Sequence, residues 1–434
     1  MRKKEIVEKS LIIKLTNKIS WFITKGVGMK KLIIGIGLIF CLLGSLWAQY
    51  EQHQVVVRNI AVPLRVYLNG SFVEDLTRND IELYDNDQLQ KVEALYLISK
   101  NEVARMDAER DYMPYTSRHF YFLFQILEYN PKITQALDFF FTNIFQPGDT
   151  LQVMTPMKNY TLSQAALKSK TKDQLVSDMV AVIRKDTQIG ASEYNNLIKD
   201  LKRLVRSISV AGGQVGAMRD LESSESTGLS GLQFLLPQYK NTLVKIENLR
   251  FVEESRFLKF ASQLKRLDGQ KVVFFFYQRE FRPEIHPRIL NNLVSIYQDD
   301  HNIIGQIQDL FQFYQRETRL DIIKLQKAFA DSSIILNFLF MHKNPENISG
   351  VYMREQSEDI FKIFTNVAKA TGGVVDTSQN PDAAFQTVAK TVDRYYLVYY
   401  SPSNYVADGS FHQIKIRIKG RDYQLAYRRG YFAD

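Results

Sequence analysis

Six polar residues that could bind a partner follow two apolar segments of the chain. One segment is FYFLF, at the start of FYFLFQILEYNPK (120–132), and the other is VVFFFY (272–277). Both are typical of strands buried on two faces, and in an open α/β sheet ligands bind outside the carboxyl ends of the strands. We therefore predict a partner-binding edge that acts by hydrogen bonding and aromatic contact, formed by Gln125, Glu128, Tyr129, Asn130, Gln278 and Arg279.

The histidines show no spacing that is typical of a metal site or a catalytic set. The chain has neither an HExxH motif nor a GxSxG motif. Its six histidines occur singly: His53, His119, His286, His301, His342 and His412. His286, between Glu284 and Arg288, and the segment Asp299-Asp300-His301 could each belong to a hydrolase. Isolated polar residues in loops explain both groups more simply, so we expect no catalytic residues and a protein that is not an enzyme.

Three other clusters favour structural explanations. Asp85-Asn86-Asp87 could suggest calcium, but Asp and Asn are also the residues that backbone turns prefer. Asp107, Glu109 and Asp111 alternate within a polar stretch and need no ligand. Gly212-Gly213…Gly216 lacks the Lys-Ser/Thr of a phosphate-binding loop and follows no apolar strand, so we expect no nucleotide cofactor.

The basic residues are concentrated near the N-terminus. Residues 1–48 hold nine Lys and Arg and two Glu, so they carry +7 of the net charge of +9 and the remainder carries +2. A nucleic-acid partner therefore loses its main support. The only cysteine, Cys41, lies in the same region, so disulfides and thiolate metal sites are not expected in the remainder.

Residues 29–49, MKKLIIGIGLIFCLLGSLWAQ, have the pattern of a signal peptide. Lys30-Lys31 precede an apolar run, and Ala48 is a small residue at a plausible cleavage point. The run is shorter than the about 20 residues that span a bilayer, which favours export to the periplasm or the outside over an uncleaved inner-membrane anchor. For residues 1–28 two readings stay open: a later start at Met29, or a basic amphipathic segment on a membrane surface.

The remaining chain divides by the period of its apolar residues. Alternating runs around Asn69-Gly70 predict an N-terminal β-segment over residues 49–100. The polar stretch 101–117 is interpreted as a linker. Apolar strands that alternate with helices over residues 118–394 predict a parallel, doubly wound sheet, and alternating Tyr and Phe predict a C-terminal β-segment over 395–434.

A helical insertion over residues 163–267 interrupts the strand–helix alternation. Its last part predicts one continuous helix from about Gln238 to Leu267. Another of its helices has a basic face, which we interpret as solvated rather than as a site for an acidic partner: Lys199, Lys202, Arg203 and Arg206. Because each terminal β-segment is too short to bury a core alone, we expect the two to form a small sandwich together.

Three stretches and two shorter motifs resemble one known family. The stretches are residues 62–95, with the phrase GSFVEDLTRNDIELYDND; residues 364–404, with TGG and RYYLVYYSP; and residues 408–432, which end in RRGY. The strand at 119–124 and the Pro-Gly-Asp turn at 147–149 extend the likeness. Together they resemble the von Willebrand factor A-related family of exported bacterial (acidobacteria-type) proteins, which implies a Rossmann-like α/β sheet of the von Willebrand A type.

That family usually carries a metal-ion-dependent adhesion site, in which a D-x-S-x-S loop supplies oxygen ligands to a divalent cation. The second acidic loop of the family corresponds here to Gln278-Arg279-Glu280, whose arginine would repel a cation. The first loop supplies no oxygen ligand set in either register, since its positions are Gln125, Leu127 and Tyr129, or Glu128, Asn130 and Lys132. The resemblance thus implies a degenerate site, and we expect neither metal nor cofactor.

These observations favour a non-enzymatic, exported protein-interaction module of the cell envelope, von Willebrand A-like and binding without metal. Its partner would be an envelope or external protein, and membrane attachment would come only through an uncleaved leader. Two alternatives stay open. One is a divalent-cation-dependent adhesion domain with atypical ligands, and the other is an envelope hydrolase.

Overall fold

The computed structural model describes residues 58–211, 225–250, 253–315, 320–377, 381–403 and 405–434. The leader expected over residues 1–48 and the Gly212–Gly216 segment lie outside the described residues. Within the described ranges, no helix combines the length and the apolar character needed to cross a bilayer. The chain is a mixed α/β structure with several sheets.

The strands are β1 (Ile60–Leu68), β2 (Ser71–Phe72), β3 (Ile81–Asp85), β4 (Gln88–Gln90), β5 (Ala94–Ser99), β6 (Glu102–Ala108), β7 (Arg118–Gln125), β8 (Thr150–Met154), β9 (Asn159–Thr161), β10 (Gln270–Gln278), β11 (Phe281–Glu284), β12 (Ile334–Met341), β13 (Tyr352–Glu355), β14 (Val375–Asp376), β15 (Arg394–Tyr400), β16 (Phe411–Ile418), β17 (Gln424–Tyr427) and β18 (Gly430–Phe432). The α-helices are α1 (Lys132–Phe139), α2 (Gln164–Ser169), α3 (Lys172–Gly190), α4 (Ser192–Ala211), α5 (Glu225–Arg250), α6 (Glu254–Lys265), α7 (Pro287–Ile296), α8 (His301–Tyr314), α9 (Ile322–Asp331), α10 (Glu358–Ala370) and α11 (Pro381–Val392). A 3₁₀ turn covers Arg78–Asp80, and a π-helical turn, Phe140–Ile144, extends α1.

The central sheet has the strand order β14-β12-β10-β7-β8-β9. Strands β7, β8, β10, β12 and β14 run parallel, and β9 returns antiparallel to β8 as a hairpin. Every residue of β10 and β12 is buried. Such nearly continuous apolar strands can be covered on both faces, which is why parallel pairing suits them.

Helices cover both faces of the central sheet. On one face α1, α3 and α11 pack on even-numbered residues of β7 and β10, and Phe122, Phe274 and Phe385 lie in this core with ring centroids 4.7–5.7 Å apart. On the other face α6, α9 and α10 pack on odd-numbered residues such as Tyr121 and Phe275. Because successive side chains of a strand point to opposite faces of the sheet, each strand contributes to two separate hydrophobic cores.

The helix end at Thr371-Gly372-Gly373 requires its glycines. Gly372 has a φ of +70°, a left-handed conformation that favours glycine. A Cβ on Gly373 would lie 1.9 Å from the carbonyl oxygen of Leu336, so only glycine permits α10 to end this close to β12. The motif therefore sets how tightly the helix packs on the sheet.

The N- and C-terminal β-segments pair with each other, as expected. Strand β1 lies between β15 and β17, β15 also pairs with β5, and β16 pairs with β3. The two resulting sheets enclose a core that includes alternate residues of β15, among them Tyr396 and Val398. The intervening residues Tyr395 and Leu397 belong to a different apolar cluster, so β15 is buried on both faces.

Three motifs of the family resemblance meet at one buried carboxylate in this sandwich. Asp85 accepts hydrogen bonds from the hydroxyls of Tyr400 (2.9 Å) and Tyr431 (2.7 Å), and its other oxygen lies 2.8 Å from Nδ1 of His412. Asn86 has a φ of +48°, in agreement with a turn set by backbone needs. The acidic turn therefore connects the two terminal segments through Asp85.

The linker expected at residues 101–117 is in part a strand. Residues 102–108 form β6, which pairs antiparallel with β5. Most of β6 is exposed, including Val103 and Met106, so backbone pairing with β5 rather than side-chain burial holds it in the sheet. Its sequence therefore lacks the alternation of apolar and polar residues that predicts a strand. The interpretation of this stretch as a linker was therefore wrong over these residues.

The helical insertion expected at residues 163–267 is also divided differently. Helices α3 and α6 cover the two faces of the central sheet, while α4 and α5 form a separate core with α7 and α8. We call α4, α5, α7 and α8 the helical subdomain. The continuous helix expected from Gln238 to Leu267 is two helices, since α5 ends at Arg250 and α6 begins at Glu254.

Candidate functional site

The predicted partner-binding residues lie at one edge of the central sheet. Gln125 ends β7 and Gln278 ends β10, and the two strands are adjacent with Gln125 opposite Tyr277. Lys343 follows the end of the next strand, β12. We call this region the carboxyl edge. Parallel strands present their carboxyl ends together, so the two groups of predicted residues meet at one edge of the sheet.

Gln278 fixes the loop that follows β7. Its side chain is buried, and its Oε1 accepts hydrogen bonds from the backbone N–H groups of Leu127 (2.9 Å) and Glu128 (3.0 Å). One amide oxygen thus satisfies two loop donors that the central sheet leaves unpaired. Gln278 is therefore a positioning residue and not a surface contact for a partner.

Tyr129 and Asn130 shape the start of α1. Oδ1 of Asn130 accepts the N–H of Lys132, the first residue of α1, at 2.9 Å. The Tyr129 hydroxyl lies 2.7 Å from Oγ1 of Thr134. Both side chains are half-buried and already have partners within the chain. They offer less to a partner than their types suggested.

Gln125 and Glu128 are exposed at the carboxyl edge, beside the half-buried Lys343. Glu128 Oε1 and Lys343 Nζ are 2.8 Å apart, and the Glu128 side chain is 59% exposed. An exposed ion pair of this kind contributes at most about 1 kcal/mol to folding, so a partner can replace it at low cost. Sequence reasoning missed Lys343 because it lies more than two hundred residues from Glu128.

Arg279 lies on the wall of a cleft at the ends of β10 and β12. Its Nε is 3.1 Å from Oε1 of Glu355, and its guanidinium lies over the ring of Phe340, 5.5 Å from the centroid. The cleft has a volume of about 500 Å³ and is also lined by His342 and Glu358. Stacking and ion pairing hold the guanidinium flat against the wall, with 31% of the side chain exposed.

The next residue, Glu280, is buried at the junction with the helical subdomain. It pairs with Nε of Arg250 from α5, and it accepts the hydroxyl of Tyr277 at 2.9 Å. Burial, reinforced by the charge of Glu280, raises the pKa of Tyr277 well above its ordinary value. Burial lowers the pKa of Arg250, but Glu280, Tyr277 and Tyr194 together raise it by more, so the net shift is upward. The guanidinium therefore stays charged.

A second cleft, of about 240 Å³, separates the loop after β7 from the helical subdomain. Its walls include Glu128 and Lys343 on the sheet side and Tyr194, Lys199 and Lys202 on α4. Lys202 forms an ion pair with Glu346 at 2.6 Å. Part of the basic face expected to be solvated thus lies beside the carboxyl edge, where a partner could contact both.

The residues at the carboxyl edge do not fit a divalent cation. Magnesium and calcium need several oxygen ligands, whereas Leu127 has none and the Tyr129 hydroxyl is engaged with Thr134. Glu128 and Glu280 each have a basic partner. In the described ranges, no group of three or more His, Cys, Asp or Glu is arranged to hold a metal.

The two candidate hydrolase groups serve as helix caps. Nδ1 of His286 accepts the N–H of Arg288 at 3.2 Å, at the start of α7. Oδ1 of Asp300 accepts the N–H groups of Asn302 and Ile303 at 3.0 and 3.1 Å, at the start of α8. Their positions in the sequence are explained by capping.

Comparisons with protein-family models, with curated proteins and with solved structures give no match to this chain. The resemblance to the von Willebrand factor A-related family therefore depends on the motifs themselves. The structure adds what these motifs do: they end α10, form the sandwich hairpins and surround Asp85.

Proposed function

We propose that this chain is an exported, von Willebrand A-like protein-interaction module of the cell envelope, which binds its partner at the carboxyl edge without a metal ion. The strand order β14-β12-β10-β7-β8-β9 supports the A-like interpretation. If only the strands of this sheet are numbered in chain order, beginning with β7 as strand 1, their order from β9 to β14 is 3-2-1-4-5-6, which is the order of the Rossmann fold. In that fold, ligands bind at the carboxyl ends of the strands, at the point where the strand order reverses. That reversal point lies between β7 and β10, where the loop after β7 is located.

One observation carries the metal-free part of the proposal: the acids at this edge are paired with basic side chains. Glu128 pairs with Lys343, Glu280 with Arg250 and Glu355 with Arg279. A cation would have to displace these groups and would meet their positive charge. A protein surface can instead exchange such pairs for its own, contacting Gln125, Glu128 and Arg279 and filling the two flanking clefts.

Reversing the charge of Glu128 is expected to abolish partner capture. The experiment compares proteins captured from envelope extract by wild type, Glu128→Lys, and the double variant Glu128→Lys/Lys343→Glu, each with EDTA present. The double variant re-forms the internal ion pair but inverts the charges that a partner meets, so it should fold normally and still fail to capture. The partner is the protein that the wild type enriches and both variants lose.

The matched control is the exposed pair of Lys170 and Asp178, whose charged atoms are 2.5 Å apart on a different part of the surface. The double variant Lys170→Asp/Asp178→Lys should capture the partner as the wild type does. Capture that survives both reversals at Glu128, or that requires Mg²⁺, contradicts the proposal.

A further inference from the structure

A different cleft lies between the β-sandwich and the amino end of the central sheet. It has a volume of about 330 Å³, within the range of small-molecule sites, and opens far from the carboxyl edge. The sandwich contributes Tyr395, Leu397 and Tyr399 from the outer face of β15. The sheet side contributes Gln270 and Lys271, the first residues of β10. We call this the amino-end cleft.

Two buried cations line the amino-end cleft without a carboxylate partner. Lys271 is 5% exposed, and its Nζ donates to the carbonyls of Leu264 (3.2 Å) and Leu267 (2.8 Å). Arg428 is 8% exposed, and its Nη1 donates to Oγ of Ser333 at 2.5 Å. In the described part of the chain neither forms an ion pair, whereas the nearby carboxylate of Asp331 is engaged by Lys265 at 2.8 Å.

The proximity of these two cations is unfavourable for the empty protein. Burial lowers the pKa of Lys271 to about 8, and the charge of Arg428 adds to the shift, while Asp268 and Asp331, which also line the cleft, oppose it. Burial lowers the pKa of Arg428 as well. Taking a charge out of water is costly unless an opposite charge and hydrogen bonds compensate it. An anion between the two groups would supply that compensation.

Polar atoms in the cleft have hydrogen-bonding capacity that the described chain does not use. Nε of Arg428 is buried without a partner, and so are both amide atoms of Gln270, a residue that is 5% exposed. Buried polar atoms are nearly always paired in folded proteins. The free Nε of Arg428, on the same cleft as Lys271, is thus an available donor for a bound anion.

We propose that the amino-end cleft binds a small organic anion: a carboxylate or phosphate monoester head group on an aromatic or aliphatic body. Arg428 and Lys271 hold the head group. The rings of Tyr395 and Tyr399 with Leu397 cover the apolar body. Because the cleft is formed by both the sandwich and the central sheet, the bound anion also joins these two parts. This inference does not depend on the function proposed for the carboxyl edge.

The test is calorimetric titration of the full chain with benzoate, hexanoate and phenyl phosphate, with benzamide as the uncharged control. Saturable binding of at least one anion, without binding of benzamide, is the expected result. Lys271→Met should weaken that binding on the order of tenfold, since one charged hydrogen bond is lost. The same variant should raise the thermal midpoint of the ligand-free protein, because it removes a buried charge.

These opposite effects separate a binding residue from a structural one. A lysine needed only for folding would lower the midpoint when replaced. Lys324→Met, at an exposed lysine paired with Glu254, is the matched control and should leave anion binding unchanged. The proposal is wrong if none of the three anions binds, or if Lys271→Met raises the midpoint but leaves anion affinity as it was.

Discussion

Replacing Asp149 by alanine is expected to lower the free energy of unfolding by about 3–5 kcal/mol, because a buried guanidinium loses its main charge partner and keeps only the more distant Asp393, 3.6 Å from its Nη1. Asp149 and Arg118 are both fully buried, with Nε and Nη2 of Arg118 at 3.0 and 2.6 Å from the two carboxylate oxygens. The carboxylate also accepts the N–H of Gln146 at 2.7 Å, and Arg118 donates to the carbonyl of Ile144 at 2.8 Å. The pair thus ties the start of β7 to the Pro-Gly-Asp turn before β8.

Urea unfolding followed by circular dichroism measures this effect. Asp178→Ala is the matched control, because Asp178 also pairs with a basic residue, Lys170, but at the exposed surface. The control is expected to stay within about 1 kcal/mol of the wild type. Equal and small losses in the two variants would show that the Arg118–Asp149 pair does not hold this part of the fold.

Replacing Glu280 by alanine is expected to cost a similar amount, about 3–5 kcal/mol, for the same reason. The substitution leaves Arg250 without its main charge partner, and it removes the acceptor of the Tyr277 hydroxyl. Arg250 also donates to the carbonyl of Gln356 at 2.7 Å, so this residue connects α5 to the segment before α10. The loss should therefore be felt where the helical subdomain meets the central sheet.

Hydrogen exchange locates this second effect, and urea unfolding gives its size. In Glu280→Ala, amides in the last turns of α5 should exchange faster than in wild type, while those of β1 and β15 in the sandwich should not change. Glu128→Ala is the control at the same edge, with an expected loss within about 1 kcal/mol because its ion pair is exposed. Unchanged exchange in α5 would contradict the role given to Glu280.

The central sheet could be predicted because its strands differ from everything around them. Strands β7, β10 and β12 are nearly continuous apolar runs, and only a sheet covered on both faces buries such runs completely. The pairing of the terminal β-segments could also be predicted, from the size of core that a sandwich needs. Strand β6 could not be predicted, because its largely exposed residues do not alternate between apolar and polar types.

The helical subdomain could not be predicted because its partners are far apart in the sequence. The apolar stripe of α4 shows that the helix has a buried face but not which helices cover it. Those helices include α7 and α8, which follow β10 in the chain. A single insertion was therefore the simplest interpretation, and it was wrong.

The sequence could predict that the residues of the candidate site meet at one edge of the sheet, but not which contacts each residue makes. The type of Gln278 suggests a surface contact, whereas its position makes it the acceptor for two loop N–H groups. From the sequence, Glu280 was considered only as part of a loop that does not fit a metal ion. Its partner Arg250 lies on a separate helix, and the sequence does not show that the end of this helix meets Glu280. Roles of this kind depend on tertiary contacts that no local pattern records.

The proposal that the carboxyl edge binds its partner without a metal ion is tested most directly by calorimetric titration of the full chain with Mg²⁺ and Mn²⁺. We expect no saturable heat with either ion, since Glu128 and Glu280 are already paired with Lys343 and Arg250. Saturable binding of either ion that disappears in Glu128→Ala would contradict this account. It would establish the carboxyl edge as a cation-dependent adhesion site with an atypical ligand set.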